Sequence, residues 1–136
     1  MRYDIIGDIH GHSQSLESIL TKLGYKNQSG IYRQPSRKVI FLGDFIDRGN
    51  YQREVIDIAR AMIDSGNVLA VMGNHEFNAI AYYTDDHEGG GYLSRIPRRI
   101  KGSIKHSSMP TEAPRLLMKI PLTGLRLCHS GWILAI

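Results

Sequence analysis

The chain has 136 residues, 42% of them hydrophobic and 22% charged, with 17 basic and 13 acidic side chains for a formal charge of +4. That length suits one domain of roughly 100–150 residues, and the ordinary apolar fraction argues against a disordered chain. One cysteine, Cys128, excludes an internal disulfide framework, and no apolar run approaches the roughly 18 residues of a membrane span.

Tyr3-Asp4-Ile5-Ile6, stopped by Gly7, reads as a strand. Leu16, Ile19, Leu20 and Leu23 then recur at helical spacing, with Ser13 as the expected N-cap and Gly24 closing the helix. Lys38–Leu42 is a β-branched and aromatic run ending at Gly43, a second strand. Val55, Ile58, Ala59 and Met62 mark the inner face of a helix over Tyr51–Ser65, with Asn50 suited to capping it and Gly66 after it. Val68–Met72 is a continuous apolar run, the pattern of a strand buried on both faces. Phe77–Tyr83 reads as a short helix and Leu125–Cys128 as a last strand. The alternation predicts an α/β fold with a parallel sheet. The start, MRYDIIGDIHGHS, has no signal-peptide core, so a soluble cytoplasmic protein is expected.

Charge is unevenly spread. Residues 1–88 hold nine basic and twelve acidic side chains, whereas residues 89–136 hold eight basic and one acidic, Glu112. Arg95, Arg98, Arg99, Lys101 and Lys105 form an acid-free stretch. It lacks the aromatic interleaving and motif of a nucleic-acid site, so it reads as a solvated loop and no nucleic-acid partner is expected. His12, His87 and His106 are isolated and read as surface or hydrogen-bonding residues.

Each predicted strand ends in polar residues able to hold metal. Ligands of open α/β sheets collect beyond the carboxyl ends of the strands, so these clusters can meet. Asp8 and His10, two apart in an extended segment, would point the same way. The donor set is Asp8, His10, Asp44, Asn74 and His129, oxygen and imidazole donors that suit Mn, Fe or Zn. With Asp44 bridging, two divalent ions about 3.5–4 Å apart would activate a water and neutralise phosphoryl oxygens. His75 would face the leaving oxygen as general acid, Asp47 would orient it and keep it protonated, and Arg48 would bind phosphate.

GDIHG (7–11), GDFIDRG (43–49) and GNHE (73–76) resemble, in this order, the leading motifs of the calcineurin-like metallophosphoesterases. DRG and NHE in these forms look most like the phosphoprotein-phosphatase branch. GNHEFNAIAYY and LRLCHSGW are similar to bacterial serine/threonine phosphatases and bis(5′-nucleosyl)-tetraphosphatases.

The resemblance implies an α/β/β/α sandwich and phosphoric ester hydrolysis with two divalent ions, manganese first among them. It implies metal ligands Asp8, His10, Asp44, Asn74 and His129, substrate contacts from Arg48 and Asn74, and catalytic roles for His75, Asp47 and Arg48. A phosphoprotein or a dinucleoside polyphosphate would be the substrate.

The family also has a further histidine ligand and more strands downstream of the fourth motif, whereas this sequence ends seven residues after His129. The expectation is therefore a single domain over 1–136, incomplete at its C-terminal end, with self-association through exposed apolar surface. The alternative function is a metal-binding family member with little or no catalysis.

Overall fold

The computed structural model describes residues 2–66, 68–83, 125–128 and 131–134. Strands β1 (Arg2–Ile6), β4 (Arg37–Phe41) and β5 (Val68–Ala70) form a parallel sheet in the order β1-β4-β5. Helix α1 (Ser13–Lys22) and the β2 (Lys26–Gln28)–β3 (Ile31–Arg33) hairpin lie between β1 and β4 in the chain, and α2 (Gln52–Asp64) joins β4 to β5. Helix α3 (Asn74–Tyr83) follows β5, and β6 (Leu125–Cys128) pairs antiparallel with β7 (Gly131–Leu134).

The helical periodicity delivers one core. Leu16 and Leu20 of α1 and Val55, Ala59 and Met62 of α2 are buried with Ile6, Val39, Phe41, Val68 and Ala70 of the sheet. The other sheet face differs. Ile40 is buried, but its register partners Ile5 and Leu69 are 65% and 52% exposed. The run at Val68 is thus a strand buried on the face of Val68 and Ala70 and exposed at Leu69, not buried on both faces, and it ends at Ala70.

Three boundaries differ from expectation for local reasons. The α1 N-cap is His12, not Ser13, because the His12 carbonyl accepts the first helical bond from Leu16 N (3.1 Å). Tyr51 rather than Asn50 caps α2, its carbonyl accepting from Val55 N at 3.1 Å. Helix α3 begins three residues earlier than Phe77, so Asn74, His75 and Glu76 form its first turn. Gly131–Leu134, in the apolar run after His129, supplies β7.

The amino end of the sheet holds a polar triad. Asp4 Oδ2 accepts from the Tyr25 hydroxyl (3.0 Å), while Asp4 Oδ1 pairs with Arg37 Nη2. Burial, then the bond to Asp4, pushes the Tyr25 phenol from 10.0 up to about 12. The native state therefore keeps a proton that the unfolded chain loses, and this contribution to stability disappears as pH rises from 10.0 to about 12. A tyrosinate absorbance titration should show one late-ionising phenol, and Tyr25→Phe should remove both that step and the associated loss of stability.

Candidate metal centre

Three loops meet beyond the carboxyl ends of the parallel strands. The β1–α1 and β4–α2 loops are joined directly: His10 N donates to Asp44 O (2.8 Å), Gly11 N to Phe45 O (2.8 Å) and Gly49 N to His10 O (2.8 Å). Glycine is required at this crossing. A Cβ on Gly11, whose φ is +69°, would lie 2.8 Å from the Gly49 carbonyl oxygen.

Backbone strain is concentrated here. Of the six non-glycine residues with positive φ among those described, five are Asp8, His10, Asp44, Asp47 and Arg48. Left-handed backbone is costly for such residues and persists where the surroundings impose it, which is common at functional sites. It also corrects one expectation. Asp8 (φ 52°) and His10 (φ 46°) are not in an extended segment. Their side chains converge through successive left-handed turns rather than through the pleat of a strand.

Converge they do. Asp8, His10 and Asp44 each offer a ligand atom, all within 4.8 Å of one another. His10 is buried, and its Nδ1–H donates to the Ile46 carbonyl at 2.9 Å. A carbonyl can only accept, so the proton sits on Nδ1. Nε2 lies 3.5 Å from Asp8 Oδ1, on the side of the ring that faces the carboxylates. Histidine ligands are commonly set in this way by a backbone acceptor behind the ring. Two carboxylates and one such imidazole nitrogen, with no thiolate, fit a divalent cation of the Mn, Fe or Zn type.

His75 stands beside this cluster. Its ring meets His10 edge-on, with centroids 4.7 Å apart at 79°, and its backbone N–H donates to Asp44 Oδ1 (3.3 Å). Asp47 is buried and its Oδ2 accepts from His75 Nδ1 at 2.7 Å. Arg48 is exposed and has no ion-pair or hydrogen-bond partner among the described residues, leaving its guanidinium available. Asn74 is exposed at the first position of α3. His129 lies outside the described residues, as do His87, His106 and the basic stretch 95–105.

Two residues that the sequence reading did not assign hold the loops in place. Glu76, fully buried, accepts from Asp44 N (2.8 Å), Phe45 N (2.8 Å), Ile46 N (3.3 Å) and Gly73 N (2.8 Å). Burial pushes its carboxyl above the usual range, the N–H groups of Gly73, Asp44 and Phe45 pull it back, and the Asp44 charge pushes it up. Its spacing from Gly73, three residues with the side chain bonding back to the cap N–H, is half of a capping box and was a readable signal. Gln52 is the other: buried, it accepts from Asp47 N at 3.2 Å. Nothing in its local sequence marks it.

A sequence profile of the calcineurin-like phosphoesterases matches residues 1–124. The chain belongs to that family. Among curated relatives, an asymmetrical bis(5′-nucleosyl)-tetraphosphatase PrpE from Halalkalibacterium halodurans is 40% identical over 76 residues, covering 55% of this chain and 31% of the relative. The PrpE of Bacillus mycoides is 42% identical over 77 residues, again 55% of this chain and 31% of the relative.

A solved structure, a protein serine/threonine phosphatase from Saccharomyces cerevisiae with similarity to human phosphatase PP5, superposes with a TM-score of 0.51 at 22% identity. It covers 88% of this chain and 33% of the yeast chain, and this likeness shows the metallophosphoesterase fold. The matched region spans about a third of these curated relatives. Among the described residues no helix is long and apolar enough to cross a membrane.

Proposed function

We propose that this phosphoesterase-family chain carries the metal-binding and proton-donating residues of a phosphoric ester hydrolase acting on a dinucleoside polyphosphate. The observation that carries the reading is the convergence of Asp8, His10 and Asp44 within 4.8 Å, beside the His75–Asp47 pair. The tetraphosphatase names of the 40–42% identical relatives favour the nucleotide over a phosphoprotein as substrate.

Asp8, His10 and Asp44 would hold one divalent ion, with Asp44 shared by a second that Asn74 and His129 help to hold. Manganese is the first candidate for both. Such ions supply Lewis acidity, neutralising phosphoryl oxygens and making a bound water more acidic. Arg48 would grip phosphate oxygens through its planar donors, assisted by the Asn74 amide. His75 would deliver the proton from its Nε2 to the leaving oxygen, because its Nδ1–H is engaged by Asp47. Asp47 acts through that ring, fixing its orientation. We place the protein in the cytoplasm and assign residues 1–136 to one domain.

The chain should hydrolyse diadenosine tetraphosphate and an aryl phosphate when manganese is added, and chelation should abolish both. Asp44→Asn should weaken manganese binding and lower both rates together. Stoichiometric manganese binding without hydrolysis would instead support a metal-binding chain with little catalysis.

A further inference from the structure

We propose that the outer face of the β2–β3 hairpin binds an oligophosphate anion, at the end of the sheet opposite the metal cluster. Helix α1 leads away from the first motif, and Gln34-Pro35 lead into the amino end of β4, so this hairpin lies far from the motif loops. Gly24, Lys26, Gln28, Arg33, Gln34 and Pro35 line a groove of about 450 Å³ there, within the size range of small-ligand sites.

The donor pattern selects the ligand. Lys26 and Arg33 are direct cross-strand partners, so two cations share one face of a two-stranded sheet. Like charges in this position repel and destabilise the hairpin. Neither has an ion-pair partner among the described residues. Glu17, whose Oε2 accepts from the Tyr32 hydroxyl (3.2 Å), and Asp4, bonded to Tyr25 and Arg37, form no ion pair with either cation and do not line the groove.

Gln34 adds a further donor. Its Oε1 is occupied by Ser36 N (2.6 Å) and Ser36 Oγ (3.1 Å), which leaves its amide N–H groups as the free end. The groove therefore offers two cations and an amide donor with no carboxylate, a set matched by phosphoryl oxygens, which only accept. Its volume exceeds that of a single phosphate and admits a chain of them. Binding would relieve the Lys26–Arg33 repulsion that the free hairpin carries.

Inorganic tripolyphosphate, titrated calorimetrically into the metal-free chain at low ionic strength, is the probe. Removing the metal excludes both chelation and the ion cluster, which separates this site from the phosphoesterase reading. The wild-type chain should bind it more tightly than orthophosphate, and added sodium chloride should weaken the binding. The double variant Lys26→Ala/Arg33→Ala should bind about tenfold more weakly or worse. Tripolyphosphate should raise the Tm of the wild type but not of the variant, whose aryl phosphate hydrolysis should be unchanged. The proposal is overturned by undiminished tripolyphosphate binding in the double variant, by equal affinity for orthophosphate, or by no binding to the wild type at low salt.

Discussion

Replacing His75 with asparagine should slow hydrolysis of an alkyl phosphate by about 10²–10⁴-fold, the usual contribution of a positioned general acid. An aryl phosphate should lose much less, because its leaving oxygen departs without a proton. Asparagine keeps a polar side chain beside the His10 ring, 4.7 Å from which the imidazole now sits, so manganese affinity should change little. Asp47→Asn should produce a smaller loss with the same dependence on leaving group. Its carboxylate is joined to Nδ1 at 2.7 Å, and the amide that replaces it can present either an acceptor or a donor to the ring. A uniform loss across leaving groups in His75→Asn, or a matching loss of manganese binding, would remove His75 from the role of acid.

The parts of this fold legible in the sequence were those where packing imposes a period. Leu16 and Leu20, and Val55, Ala59 and Met62, recur at helical spacing because each faces the same sheet. The β2–β3 hairpin escaped because its strands are three residues each and only Tyr32 among them is buried, so no alternation accumulates. Its readable signal was the turn: Ser29 (φ 53°) and Gly30 (φ 85°) form a two-residue loop with both φ positive, which a Ser-Gly pair can supply. The start of α3 was hidden for a different reason. Asn74-His75-Glu76 carries no apolar periodicity, and what makes it helical is the cap at Gly73.

The same contrast holds at the site. Asp8, His10, Asp44, Asp47 and His75 were nameable because metal and proton chemistry demands those side chains in motifs at strand ends. The left-handed backbone that aims Asp8 and His10 has no residue-type signature, so their convergence was anticipated for the wrong geometric reason. The Ile46 carbonyl that fixes the His10 tautomer is a main-chain group, and no side-chain reading could have found it.

Glu76 is where the fold and the site are one structure, and its removal should be the most damaging single change to stability. Its carboxylate offers about four lone-pair positions, matched by four backbone N–H groups from two loops. Glu76→Ala would strand those donors, three of them in bonds to Glu76 that are buried. At about 1–3 kcal/mol per unsatisfied group the loss should reach about 4 kcal/mol or more, against a typical total of about 5–15 kcal/mol.

Glu76→Gln tests the site more finely. It removes the cost of burying a charge, which favours the variant, but it also turns an amide N–H₂ toward donors that need an acceptor. The second effect should win, because at least one of the N–H groups of Asp44, Phe45 and Gly73 would face a donor instead of an oxygen. Urea denaturation should rank wild type above Gln and Gln above Ala. Manganese affinity of the folded Gln variant should fall by about 10–100-fold, as for other residues that orient ligands without touching the ion. If Glu76→Gln folds and binds manganese as tightly as the wild type, the clamp on Asp44 does not set the ligand geometry.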